Sequence, residues 1–231
     1  MTPSIKDNTA ILKLNLSDII DDIFMVLSEK EKEVVIRRFS LNNEDKQTLE
    51  SIGQKFNVTR ERVRQIEKIA LGKLKRTVNS TKLRFIHDLA EAILKENGGL
   101  LLEETLTAKI LDAIENTFEV DAHIVRLSLT ICPSIKSLEK NNLFRMCWHI
   151  DSVSPLIIKE VLEHAVKELK KNKDVMTEAE LTSNMSKSKA VQGLDLANSF
   201  YSSALAIDMR IKNVEEGYGL MIWRHINPKS I

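Results

Sequence analysis

The stretch "TLESIGQKFNVTRERVRQIEKIALGKLKR", residues 48–76, decides the fold of the N-terminal part of this chain. Thr48 can cap a short helix in which Leu49, Ile52, Gly53 and Phe56 recur at i, i+3, i+4 and i+7. "NV" at 57–58 makes a tight turn, and Thr59 caps a second helix predicted to run to Thr77. At roughly 100° per residue, Val63, Ile66, Ala70 and Leu74 fall in one narrow sector, while Glu61, Arg64, Gln65 and Lys68 fall on the opposite side. A short helix, a brief turn and a second helix with a free outer face make a helix-turn-helix.

Charge supports a task for that outer face. The 231 residues carry a formal net charge of +1, yet residues 48–80 hold eight basic and three acidic side chains. The flanking parts are neutral or slightly negative, so the chain has one local basic surface and does not coat polyanions along its length. A merely solvated face, laced by i, i+4 pairs, would carry both signs in comparable numbers. In a major groove, by contrast, Arg pairs with guanine, Gln with adenine, and Glu accepts from cytosine. Lys68, Lys73, Lys75 and Arg76 would neutralise phosphates further along.

Upstream, Ser17 is expected to cap a helix over "DIIDDIFMVL" with Ile19, Ile20, Ile23 and Phe24 on one face. Ser28 and Glu31 have the spacing of a capping box, and "SLNNEDKQ" reads as a loop. The whole segment from Leu27 to Arg76, with its "TLESIG" and "VTRERVRQIEKIAL" strings, resembles region 4 of the housekeeping sigma factors of bacterial RNA polymerase. That resemblance implies that the second helix enters the major groove of a promoter's minus thirty-five element, with Arg60, Glu61, Arg64 and Gln65 facing bases. It places Arg62, Arg38 and the helix start at Thr48 and Leu49 near the DNA backbone. Lys30 stands where the family usually has Arg, so a phosphate contact there would lose the planar fork. The same module of the family docks on the flap of the polymerase β subunit. With 26 residues ahead of Leu27 and 5% aromatic content, the chain is expected to lack the clamp-holding and strand-melting regions of a complete initiation factor.

Beyond residue 80 the chain repeats itself. "VRLSLTICPSIKSLEKNNLFRMCWHID" and "YSSALAIDMRIKNVEEGYGLMIWRHIN" each predict a helix, a strand ("IKSLE", "IKNVE"), a turn and a second strand ending near Trp and Ile ("LFRMCWHI", "LMIWRHI"). Each is preceded by a long helix and a shorter one, the winged-helix order twice over. The second copy, ending "GLMIWRHINPKSI", resembles the HARE-HTH winged-helix modules of the polymerase delta subunit and of some restriction and chromatin proteins. A net charge of −2 over 81–231 weakens the counterion-release term of non-specific DNA binding, so a protein-contacting or architectural role is expected. Trp148 and Trp223 read as anchors of their hairpins, and "KELKKNK" (167–173) as a solvated helix end.

Little else carries chemistry. The five histidines form no HxH or HExxH pattern, with His87 and His164 expected at the surface or its boundary. Cys132 and Cys147 form no CxxC pair and read as buried thiols. "ENGG" at 96–99 is a helix stop and not a phosphate cradle. No catalysis, cofactor, metal, small-molecule substrate or membrane span is expected, and the location is expected to be cytoplasmic.

The expected fold is mainly α: a helix-turn-helix domain over 1–80, a first winged-helix-like domain over 81–152, and a second, HARE-HTH-like one over 153–231. The expected function is a sequence-specific DNA-binding transcription regulator that recognises a promoter-like element in double-stranded DNA and contacts the bacterial RNA polymerase core or another partner. The alternative is an accessory polymerase subunit or anti-initiation factor that docks on the β flap without base readout.

Overall fold

The computed structural model describes residues 16–78, 81, 83–114 and 119–228. The described residues begin with four helices: α1 (Leu16–Phe24), α2 (Glu29–Phe39), α3 (Leu49–Phe56) and α4 (Arg60–Thr77). Their starts follow the expected caps. The Ser28 hydroxyl accepts from the Glu31 amide and the Glu31 carboxylate accepts from the Ser28 amide. Thr48 and Thr59 accept from the amides of Ser51 and Arg62 at 3.1 and 3.2 Å. Ser17, the cap expected for α1, falls instead inside that helix, which already includes Leu16; its side chain lies outside the described residues. Asn57 ends α3 in the left-handed region, φ 52°, and turns the chain into α4.

Ile19, Ile20, Ile23 and Phe24 are all buried, as the α1 periodicity predicts. Val34, Ile52 and Val63 are fully buried and form the centre of the helix-turn-helix, with Leu49, Phe56, Val58 and Ile66 around them. Gly53 faces the turn so closely that a Cβ would lie 2.7 Å from the Val58 carbonyl oxygen, a backbone atom that cannot swing away. Gly53→Ala is therefore expected to cost about 1–3 kcal/mol through overpacking. Urea denaturation followed by circular dichroism checks this; an unchanged midpoint would show that the turn yields freely.

The next elements are α5 (Leu83–Glu96), β1 (Leu100–Leu102), α6 (Glu103–Ala113), α7 (Glu119–Ile131), β2 (Ile135–Leu138) and β3 (Cys147–Ile150). The three strands form an antiparallel sheet in the order β1-β3-β2, with Leu101 and Ser137 flanking Trp148. The order recurs in α8 (Pro155–Asn172), α9 (Glu178–Met185), a 3-10 turn at Lys189–Val191, α10 (Asn198–Ile207), β4 (Ile211–Val214) and β5 (Gly217–Leu220). Here a single bridge, Met176 to Tyr218, stands where β1 stands in the first copy. The fold is mainly α, a helix-turn-helix followed by two winged-helix arrangements.

These elements gather into two compact units, and the division runs inside α5 and α6. One unit holds the residues up to Ala90 together with Thr107–Pro133, and in it α7 packs against α1, α2 and α4. The other holds Glu91–Leu106 and Ser134–Ile231. Its core joins the buried face of α8 (Ile158, Val161, Leu162, Ala165) to Phe200, Ala204 and Leu205 of α10 and to Leu100 and Cys147 of the first sheet.

Three expectations need correction. His87 is buried, with Nε2 2.9 Å from the Ser128 carbonyl oxygen, because a backbone acceptor on α7 lets the α5 imidazole enter the interior satisfied. The second strand of the last hairpin stops at Leu220, and Met221–Asn227 turns back over it. Ile226 packs on Gly219, and the Lys212 ammonium donates to the Ile226 carbonyl at 3.1 Å. Trp148 is a buried anchor as expected, but Trp223 is half-buried on that returning tail, stacked on His225 at a centroid separation of 5.6 Å.

Candidate nucleic-acid interface

The amphipathic division of α4 is complete in three dimensions. Val63, Ala70 and Leu74 have no exposed surface, whereas Arg60, Glu61, Arg62, Arg64, Gln65 and Lys68 are all exposed. The two sets are held apart by the seam that α4 makes with α2 and α3.

The exposed groups are ordered among themselves. The Arg64 guanidinium donates from Nε and one terminal nitrogen to the Glu61 carboxylate at 2.8 and 2.6 Å, a bidentate i, i+3 pair. Arg62 donates to the Gln65 side-chain oxygen at 3.2 Å. The Arg64 hydrogen bond holds the Glu61 carboxyl below its ordinary range, and Glu61 in turn raises Arg64. Both side chains are more than half exposed, so water screens the pair, and it orients the fork more than it stabilises the fold.

The remaining expected residues sit less freely. Thr48 is exposed, with its hydroxyl spent on the α3 cap, and Leu49 is half-buried against the helix-turn-helix core. Lys30 is exposed on α2. Arg38 is mostly buried: its Nε donates to Glu67 of α4 at 3.0 Å, and a terminal nitrogen donates to the Gln47 carbonyl at 2.9 Å. It thus links α2, the entry to α3 and α4. Glu67 and Gln47 were not legible as part of this site, since contacts across 29 and 9 residues leave no periodic trace. Lys73 also departs from expectation as a phosphate neutraliser. Its ammonium lies 2.8 Å from Glu31, because the capping carboxylate of α2 faces α4 and is nearly buried there. Lys75 and Arg76 are exposed.

Glu31 therefore joins two helices through one carboxylate. Burial pushes its pKa up, but the hydrogen bonds from Lys73 and from the Ser28 amide outweigh that and leave it below its ordinary value of 4.5. A carboxyl depressed by folding contributes stability that is complete above its unfolded value and is lost as pH falls through the folded one. The stability difference between wild type and Glu31→Gln is thus expected to be constant near neutrality and to shrink below about pH 4.5. Denaturation midpoints between pH 7 and pH 3 measure it; a difference that grows on acidification would contradict the pairing.

Among the described residues, no group of three or more His, Cys, Asp or Glu side chains is placed to hold a metal ion. No described helix is long and apolar enough to cross a membrane.

The fold and the exposed cationic face of α4 define a helix-turn-helix. Residues 23–76 match the family described as Sigma-70, region 4. The chain is also 40% identical over 84 residues to the RNA polymerase sigma factor SigA of a Bacillus species, an overlap that covers 36% of this chain and 21% of that protein. The chain thus spans about a fifth of the length of that relative.

Proposed function

We propose that this protein is a sequence-specific DNA-binding transcription regulator. It reads a promoter-like element through α4, and its winged-helix parts, the modules 81–152 and 153–231, contact RNA polymerase or another protein. Arg60, Glu61, Arg64 and Gln65 read bases. Arg62 and Lys68 neutralise phosphates beside them, with Lys30 and the α3 start at Thr48 and Leu49 along the backbone. The observation that carries this reading is the exposed face of α4, with its base-matching donors and acceptors, on a segment that matches Sigma-70, region 4. The HARE-HTH likeness of the second winged helix adds a polymerase-linked context.

Selection of bound duplexes from random sequence, at stated salt and with and without core polymerase, tests it. Arg64→Ala or Gln65→Ala is expected to remove about 1–3 kcal/mol of discrimination at one base pair and to leave the other positions intact. Wild type and variants that bind every sequence equally would overturn base readout.

A second reading, an accessory polymerase subunit or anti-initiation factor that uses this domain on the β flap, draws on one observation. Arg64 and Gln65 are already paired to Glu61 and Arg62, so reading bases requires them to share or exchange those bonds. Co-purification with core polymerase without DNA, unaffected by Arg64→Ala, favours that reading.

A further inference from the structure

In three-helix relatives of the helix-turn-helix, the third helix is the one that enters a groove. Among the described residues two more helices hold that third position, α7 and α10, and neither is free. Residues 121–131 of α7 are buried or half-buried without exception. The helix packs against α1, α2 and α4, and its Ser128 carbonyl accepts from the buried His87. It lies behind the helix-turn-helix as a support.

The third helix of the second copy meets the copy before it. α10 has no Lys or Arg, and Phe200, Tyr201, Ala204, Leu205 and Ile207 are buried. It packs against β1, and the Ser203 hydroxyl donates to the Asn97 carbonyl at 3.0 Å. The chain between α5 and β1 passes so close that a Cβ on Gly98, at φ 78°, would lie 2.2 Å from the Phe200 nitrogen. The first hairpin is tied to the same place: the Arg145 amide donates to the Ile207 carbonyl at 2.9 Å, and the Met209 amide to the Leu143 carbonyl at 2.8 Å. The tip of the second hairpin carries the exposed pair Glu215 and Glu216, which repel phosphates.

We infer that both winged helices have turned their third helix inward, α7 as a joint with the helix-turn-helix and α10 as a joint with the preceding sheet, so that α4 is the single nucleic-acid-reading helix among those described. The inference deepens the proposed function, since the DNA site of the whole chain is then the short element under α4.

Amide hydrogen exchange on the full chain, alone and with an excess of a selected duplex, tests it. Free, α7 and α10 are expected to exchange as slowly as the cores they join, and Gly98→Ala to speed exchange in α10 and β1 together. With duplex, added protection is expected at the start of α2 around Lys30 and within residues 48–76, and none in α7 or α10. In parallel, Arg62→Ala and Lys68→Ala should each lower the slope of log K against log salt by about one, while Lys136→Ala and Lys140→Ala on the first hairpin leave it unchanged. Fast exchange of α7 or α10 in the free chain, new protection there on adding DNA, or a slope lowered by the hairpin variants would overturn the inference. If the chain bound no duplex, base readout would fail, and the free-chain exchange would still decide the joints.

Discussion

Replacing Ile52 with Ala is expected to cost about 2–5 kcal/mol and to abolish DNA binding with it. At the centre of the helix-turn-helix, Val34, Ile52 and Val63 are fully buried against one another, one from each of α2, α3 and α4. Truncating the middle one removes the contact through which α3 fixes the pitch of α4. Capped helix ends on both sides limit how far the backbone can settle into the cavity. Ile52→Val keeps most of the volume and is expected to cost about 0.5–1.5 kcal/mol with binding retained. Guanidinium titrations followed by circular dichroism, together with amide exchange at α3 and α4, measure both. Equal losses from Val and Ala would mean that the site relaxes and the core is not what holds α4.

An effect of comparable size and a different kind is expected in the other compact unit. Asp208 is fully buried at the end of α10, and Arg210 closes on it. Nε and a terminal nitrogen lie 3.0 and 2.7 Å from the carboxylate, and the Arg210 amide also donates to it. The far nitrogen of the guanidinium reaches Glu163 on α8 at 2.6 Å, so one side chain joins α8 to the start of β4. The hydrogen bond to Asp208 pushes the arginine pKa further up, with Glu163 adding to it, so the cation persists at every accessible pH. Arg210→Ala strands a buried carboxylate and is expected to destabilise this unit by about 3 kcal/mol. That is the low end for breaking a buried pair, since the guanidinium is a quarter exposed. Both tryptophans, Trp148 and Trp223, belong to this unit, so fluorescence reports its unfolding directly. The double variant Arg210→Met with Asp208→Asn should recover part of the loss, because the charge is no longer stranded. An Arg210→Ala midpoint equal to wild type would show that water already reaches Asp208.

Much of the helix-turn-helix was legible from local pattern. Thr48, Thr59 and the Ser28–Glu31 box marked helix starts because a capping side chain acts within three residues of itself. The two faces of α4 followed from periodicity, and so did the exposure of Glu61, Arg64, Gln65 and Lys68, while Arg60 entered through the family resemblance. The repeated order of helices and strands beyond residue 80 was visible for the same reason: burial on one face leaves a period in the residues. The last hairpin was misjudged where that reasoning is weakest, since "LMIWRHI" is apolar enough for a strand yet follows Gly219, onto which Ile226 folds back.

The sequence by itself thus determined the caps, the amphipathic faces, the element order and the location of the positive charge, all of which depend on neighbours within a turn or two. Only the tertiary structure decided that Arg38 is drawn inward to Glu67, that Lys73 is paired with Glu31, and that α7 and α10 are spent on internal joints. Those outcomes depend on which surfaces meet across 29, 42 or 106 residues of chain. An arginine bound for a phosphate and one bound for a buried carboxylate look alike until the partner's position is known.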